Sequence, residues 1–143
     1  MKRNLMGALV GAAVMSLATG QALAQKAPAA KVSGDTVKIG VLTDMSGVYS
    51  DLGGQGSVTA AQMAIDDFKA AAKGMKVEVL VGDHQNKADV GSNIARQWYD
   101  VDKVDVIVDV PTSSVVLAVN EITKQKGKAL IVSTGATSDL TGK

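Results

Sequence analysis

Two stretches of this sequence place hydroxyls and small residues directly after apolar runs. Asp109-Val110-Pro111-Thr112-Ser113-Ser114 follows Val104–Val108, and Ser133-Thr134-Gly135-Ala136-Thr137-Ser138 follows Ala129–Val132. Where a strand gives way to a helix in an open parallel sheet, backbone N–H groups point outward and small polar ligands bind. Behind Pro111, the residues Thr112, Ser113 and Ser114 read as a helix N-terminus. Free N–H groups and the helix dipole favour negative charge there, and a carboxylate fits. Ordinary N-capping by Thr112 or Ser113 is the competing reading. In the second stretch Gly135 and Ala136 let a ligand approach the backbone closely. The Thr137 hydroxyl can donate to a carboxylate, accept from an ammonium, or cap a following helix. Neither stretch pairs a nucleophile with a base, so the pattern is one for holding a small molecule rather than transforming it.

The remaining chemistry-bearing residues carry less. Thr43 to Gly54 is a long glycine-rich loop after the first apolar run, but it is not a dinucleotide fingerprint. Gly54-Gln55-Gly56 comes late, Thr59 stands where a third glycine belongs, and there is no GK[ST] phosphate loop. Tyr49 in this loop can wall a pocket with its ring face, or pin its own loop. His84 is the only histidine. Without cysteine or paired glutamate beside it, it is a poor metal ligand. Its loop is expected on the far side of the first strand from Ser113. Asp44, Asp105 and Asp109 carry the outline of a receiver-type acidic pocket. Trp98 reads as core packing and Tyr99 as helix surface.

The elements that position these residues follow from periodicity. Four short apolar runs rich in β-branched residues, Val37–Leu42, Val77–Val81, Val104–Val108 and Ala129–Val132, predict strands. The last two are nearly continuous and should be covered on both faces. Ala61, Ala64, Ile65, Phe68 and Ala72 share one face of a helix predicted over Gly54–Lys73 and ended by Gly74. A second helix is predicted over Ala88–Asp100, capped by Asn86, with Val90, Ile94, Trp98 and Val101 as its buried stripe. A third begins near Ser113, buries Val115, Ala118, Val119 and Ile122, and closes at Gly127. Strand–helix alternation implies α/β architecture, a doubly wound parallel sheet with right-handed crossovers in the order 2-1-3-4. The loops after Leu42, Val108 and Val132 then line one crevice.

The ends of the chain set its compartment. Lys2-Arg3, the apolar run Leu5–Ala18 and Ala22-Leu23-Ala24 predict a secretory signal peptide over residues 1–24. The run is shorter than the roughly 20 residues of a membrane span, so stable membrane insertion after cleavage is not expected. Residues 25–35 read as a flexible lead-in and 36–143 as one α/β lobe. The absence of cysteine excludes disulfides, thiolate metal sites and a lipoprotein anchor. Lys and Arg total 15 against 14 acids. Loss of Lys2 and Arg3 leaves a mature charge near −1, with no basic patch for nucleic acid. The sequence calls for no metal and no cofactor. The chain stops after Thr141-Gly142-Lys143, where the pattern predicts a further helix, so a truncated lobe is expected.

Lys38-Ile39-Gly40-Val41-Leu42-Thr43-Asp44-Met45-Ser46-Gly47, the helix ending Ala64-Ile65-Asp66-Asp67-Phe68, and Val132-Ser133-Thr134-Gly135-Ala136-Thr137-Ser138-Asp139-Leu140-Thr141 together resemble the leucine/branched-chain amino-acid-binding family. These are periplasmic substrate-binding proteins of ABC importers with a type I fold. The resemblance implies a periplasmic protein with two lobes that close on a ligand and dock on an inner-membrane permease. It implies ligand contacts from Ser46 and Tyr49, Ser113 and Ser114, and Gly135 and Thr137, the serine turn being matched to within one position. Asp109-Val110-Pro111 replaces a glycine-containing stretch. The variant is similar to members that take up aromatic or other organic acids, so an amino acid and an organic acid both stand as ligands. An exported α/β hydrolase is the alternative from another class, although Gly56-Ser57 lacks the G-x-S-x-G context. A ligand-sensing receptor domain of the same fold is a third.

Overall fold

A computed structural model describes residues 35–141. The signal-peptide and lead-in expectations for residues 1–34 lie outside the described residues, as do Gly142 and Lys143. The elements run β1 (Thr36–Thr43), α1 (Gly54–Phe68), β2 (Lys76–Asp83), α2 (Ala88–Gln97), β3 (Val106–Asp109), α3 (Ser113–Lys126) and β4 (Ala129–Val132). All neighbouring strands pair in parallel in the order β2-β1-β3-β4. This is the doubly wound α/β sheet expected from the alternation of apolar runs. Among the described residues no helix is long and apolar enough to cross a membrane.

The two faces of the sheet are unequally filled. Successive strand residues point to opposite faces. Gly40 and Gly82 face the side of α2 and α3, where the Trp98 ring fills the space a side chain would take. Leu42, Ala95, Trp98, Tyr99, Val104, Ile107, Val115, Val116, Val119 and Ile122 form the core on that side. Tyr99 is buried with it rather than lying on the helix surface. Its hydroxyl meets Thr123 Oγ1 at 3.0 Å, and burial pushes the phenol pKa above its ordinary 10.0. On the other face α1 stands off the sheet. Ala61, Ala64, Ile65 and Phe68 border an apolar groove of about 480 Å³ shared with Val37, Ile39 and Val77. The β4 strand is therefore not covered on both faces: Ile131 is 61 % exposed.

Three local boundaries differ from the sequence expectation. Helix α1 ends at Phe68, not Lys73. Lys69 turns left-handed (φ 55°) and its N–H bonds Asp66 O, so Gly74 caps only the short 3₁₀ turn Ala71–Lys73. The turn brings Ala70 into the interior, and the Lys73 ammonium sits 3.4 Å from the Phe68 ring centroid. Helix α2 passes into a π-helical turn, Trp98–Asp102, closed by left-handed Lys103. The wider turn shifts the helical phase. Val101 consequently faces outward, 61 % exposed, and Val104 takes the buried place. Strand β3 starts two residues late because Val104 N–H bonds Trp98 O and not a neighbouring strand. Helix α3 and its Gly127 cap (φ 60°) agree with the sequence reading.

Candidate functional site

The loops after β1, β3 and β4 emerge at the carboxyl edge of the sheet. The first is built on Asp44, which is fully buried. Its Oδ1 accepts from Gly47 N–H (2.8 Å) and its Oδ2 from Tyr49 N–H (3.0 Å). Tyr49 O in turn accepts from Leu52 and Gly53 N–H. The Tyr49 backbone is thus fixed while its side chain stays at the surface. Ser46 is exposed, and its hydroxyl donates to Asp83 Oδ2 at 2.6 Å. Asp83 Oδ1 also accepts from Met45 and Gln85 N–H. Burial raises the Asp83 pKa, but these bonds and the nearby His84 outweigh it and hold the carboxyl below its ordinary 3.8. Thr43 Oγ1 accepts from Gly54 N–H at 2.9 Å and so starts α1.

The loop after β3 departs furthest from ordinary backbone. Asp109 and Val110 both hold positive φ, 83° and 58°. For a β-branched residue that conformation costs on the order of 1–3 kcal/mol and persists only where its surroundings enforce it. Here Val110 N–H bonds Leu42 O at 2.9 Å, and the Val110 side chain is fully buried. The kink aims Pro111 and Thr112 into the start of α3. Asp109 Oδ1 accepts from Ser133 Oγ at 2.6 Å and lies 3.4 Å from Thr134 Oγ1, tying the loops after β3 and β4 together. Its Oδ2 is buried with no hydrogen-bond partner among the described residues.

Thr112 occupies the N-cap position of α3, yet its side chain makes no cap bond. The hydroxyl donates instead to Asn86 Oδ1 at 2.9 Å. Asn86 is thereby accounted for: Lys87 occupies the N-cap position of α2, without a side-chain bond, and Asn86 is a left-handed residue (φ 56°) facing Thr112. Two expectations are corrected here. Asn86 does not cap α2, and the His84 loop touches the serine turn rather than lying apart from it. His84 is fully buried, and its Nδ1 accepts from Asn86 N–H at 3.0 Å. Burial holds the ring pKa below its ordinary 6.5, against the pull of Asp44, Asp83 and Asp109. The neutral ring then carries its proton on Nε2, which is buried and has no hydrogen-bond partner among the described residues.

Of the six residues inferred from the resemblance, Ser113 is half-buried and Ser114 exposed at the start of α3, and neither hydroxyl is engaged by another described residue. Thr137 Oγ1 accepts from Asp139 N–H at 3.3 Å, capping the 3₁₀ turn Ser138–Leu140. Gly135 lies against Val132 and Val116, where a Cβ would come within 2.6 Å of Val132 Cγ1. The fold therefore requires glycine there for packing as well. Ser46 and Tyr49 belong to the neighbouring loop, with the Ser46 hydroxyl committed to Asp83. The receiver-type trio does not assemble: Asp105 lies at the opposite end of β3, bonding Lys38 N–H and pairing with Lys128. What sequence reasoning missed is the Asn86–Thr112 bond and the strapping of loops by Asp83 and Asp109. Their signal is only a polar residue at a strand end, as for Asp83 and Asp109, or shortly after it, as for Asn86 and Thr112.

The family model described as periplasmic binding protein matches residues 36–143. No curated protein matches the chain. Among solved structures, a branched-chain amino acid ABC transporter periplasmic ligand-binding protein from Burkholderia xenovorans is 45 % identical. That match covers 75 % of this chain and 29 % of that one, with a TM-score of 0.71. The branched-chain amino acid transporter substrate-binding protein LivJ from Streptococcus pneumoniae, in complex with isoleucine, is 26 % identical, over 74 % of this chain and 31 % of that one (TM-score 0.67). A solute-binding protein of an ABC transporter from Rhodopseudomonas palustris, in complex with 3,4-dihydroxybenzoic acid, is 27 % identical over 76 % and 30 % of the two chains (TM-score 0.63). The chain thus spans under a third of the length of these structures.

Proposed function

This chain belongs to the periplasmic binding protein family, and from that membership we propose that it forms the first lobe of a solute-binding protein serving an ABC importer. The lobe, residues 36–143, follows a cleaved signal peptide and a short lead-in, and acts in the periplasm. Its task is reversible capture of a small carboxylate-bearing molecule, with no bond chemistry, and delivery to an inner-membrane permease.

The observation that carries this reading is the start of α3. Among the described residues no side chain caps it, and none engages the hydroxyls of Ser113 and Ser114 that stand there. Helix N–H groups and hydroxyl donors converge where a carboxylate oxygen would bind. The loops bearing Ser46, Tyr49, Gly135 and Thr137 flank it at the same edge. Isoleucine and 3,4-dihydroxybenzoic acid, bound by two similar proteins, share the carboxylate and little else. That shared group is the ligand chemistry this edge offers.

A second lobe is needed to bury the ligand, because one open face leaves most of its surface in water. Residues 25–143 alone are expected to bind weakly or not at all. Calorimetric titration of the full-length protein with isoleucine and with 3,4-dihydroxybenzoate tests the reading. Removing a hydroxyl bond to a carboxylate costs about 1.5–3 kcal/mol. Ser113→Ala with Ser114→Ala should therefore weaken binding about tenfold or more. Unchanged affinity in that double variant, or micromolar binding by the isolated lobe, would sink the assignment.

A further inference from the structure

We propose that Asn86 is a positioning residue for the carboxylate site: it holds the Thr112 hydroxyl away from α3 so that the first N–H groups of that helix stay free for a ligand. This rests on the functional reading above. The N-cap residues of α1 and α2 are Gly53 and Lys87, neither of which carries a side-chain acceptor suited to capping. Of the three described α-helices, only α3 has an N-cap residue, Thr112, whose side chain can accept from the helix N–H groups. Thr112 has the extended backbone of an N-cap (φ −95°, ψ 123°), and an unrestrained threonine there accepts from the second or third helical N–H, here Ser114 or Val115. It does not: the side chain is turned so that its hydroxyl donates to Asn86 Oδ1 at 2.9 Å, and in that orientation Oγ1 accepts from no helix N–H.

The partner is itself held in place. Asn86 sits in the left-handed region, and its N–H is fixed by the Nδ1 of fully buried His84. His84 N–H in turn bonds Thr43 O at the end of β1. The path from the central strand to Thr112 thus consists of three hydrogen bonds, none of them within α3. A cap and a ligand carboxylate compete for the same N–H groups. Losing the Asn86 amide returns the hydroxyl to those groups, stabilising the helix while closing the site.

The test uses the full-length protein carrying this chain, with isoleucine and 3,4-dihydroxybenzoate as probes. Asn86→Gly keeps the left-handed backbone and removes the amide. It should weaken binding about fivefold, with an unchanged or raised melting temperature and slower amide exchange at Ser114 and Val115. Adding Thr112→Val, which has no hydroxyl to fold back, should restore affinity and return the exchange to its original rate. Weakened binding with a lowered melting temperature and no rescue by Thr112→Val would overturn the proposal, since a merely structural contact behaves that way. If the unaltered protein binds neither probe, the carboxylate reading fails for them. Amide exchange still decides the positioning role: equal protection of Ser114 and Val115 with and without Asn86 refutes it.

Discussion

The ring of Trp98 occupies the space that a side chain on Gly40 would need: a Cβ there would lie 2.5 Å from ring atoms Cε3 and Cζ3. Gly82, on the neighbouring strand, meets the same ring, with a Cβ falling 2.9 Å from Cζ2. One indole thus packs across β1 and β2, and α2 approaches the sheet closely because both positions lack side chains. Overpacking of a filled core costs about 1–3 kcal/mol. Gly40→Ala should lower the stability of the chain by that amount, read as a reduced urea midpoint with unchanged slope. A midpoint equal to that of the unaltered chain would mean that α2 can shift freely on the sheet.

Acid should weaken the fold in two stages. The buried His84 ring has a pKa below 6.5 when folded. Between 6.5 and that lower value, the unfolded chain takes up a proton that the folded chain does not. Its contribution is therefore intact above pH 6.5 and is lost as pH falls below it. Asp83 has a folded pKa below 3.8, so its bonds to Ser46, Met45 and Gln85 persist above that pH and are lost on further acidification. Thermal melts across pH 7.5 to 3 should show a fall beginning below 6.5. In His84→Gln this first stage should be absent, and a persisting fall there would assign it to another group.

Lys69 ends α1 in a left-handed conformation at φ 55°. A non-glycine residue there costs roughly 1 kcal/mol, which glycine avoids. Lys69 is exposed, and its side chain makes no bond to another described residue. Lys69→Gly should therefore raise stability by about 0.5–1 kcal/mol, visible as a melting temperature higher by a few degrees. A lowered melting temperature would show that the ammonium or its methylene stem holds the turn.

The sequence is legible where structure is set by local pattern. Four apolar runs separated by amphipathic stretches fix the sheet, its parallel sense and the order β2-β1-β3-β4. Gly127 marks the end of α3 because a helix stop and a glycine coincide. Gly74 misleads, since the chain already turns at Lys69 and so brings Ala70 into the interior. Val101 misleads because helical periodicity assumes 3.6 residues per turn, and the π turn at Trp98–Asp102 breaks it. At the site, the hydroxyl-bearing turns are visible in order. What each hydroxyl bonds is not, because Thr112 reaches Asn86 and Ser133 reaches Asp109 across the sheet. Asp109 and Ser133 are joined because β3 and β4 are neighbours, and Asn86 and Thr112 because they precede α2 and α3, which pack on each other; no short window of sequence contains either relation.

The parallel order of the strands also fixes when the sheet can form. No pair of neighbouring strands is joined by a hairpin: β1 aligns Thr36 with Lys76 and Ile39 with Val106, and β3 aligns Val106 with Ala129. Each ladder requires a whole helix-containing loop to close before its first bond forms, and that entropy must be met before non-local contacts reward it. The central strand is the earliest in the chain and has its two flanks furnished by segments that come much later. Helices α2 and α3, close in sequence and packed on each other, are therefore the natural early nucleus, with β1 threading in between β2 and β3 as a late step. A chain with this wiring stays open for longer than a helical bundle of equal length.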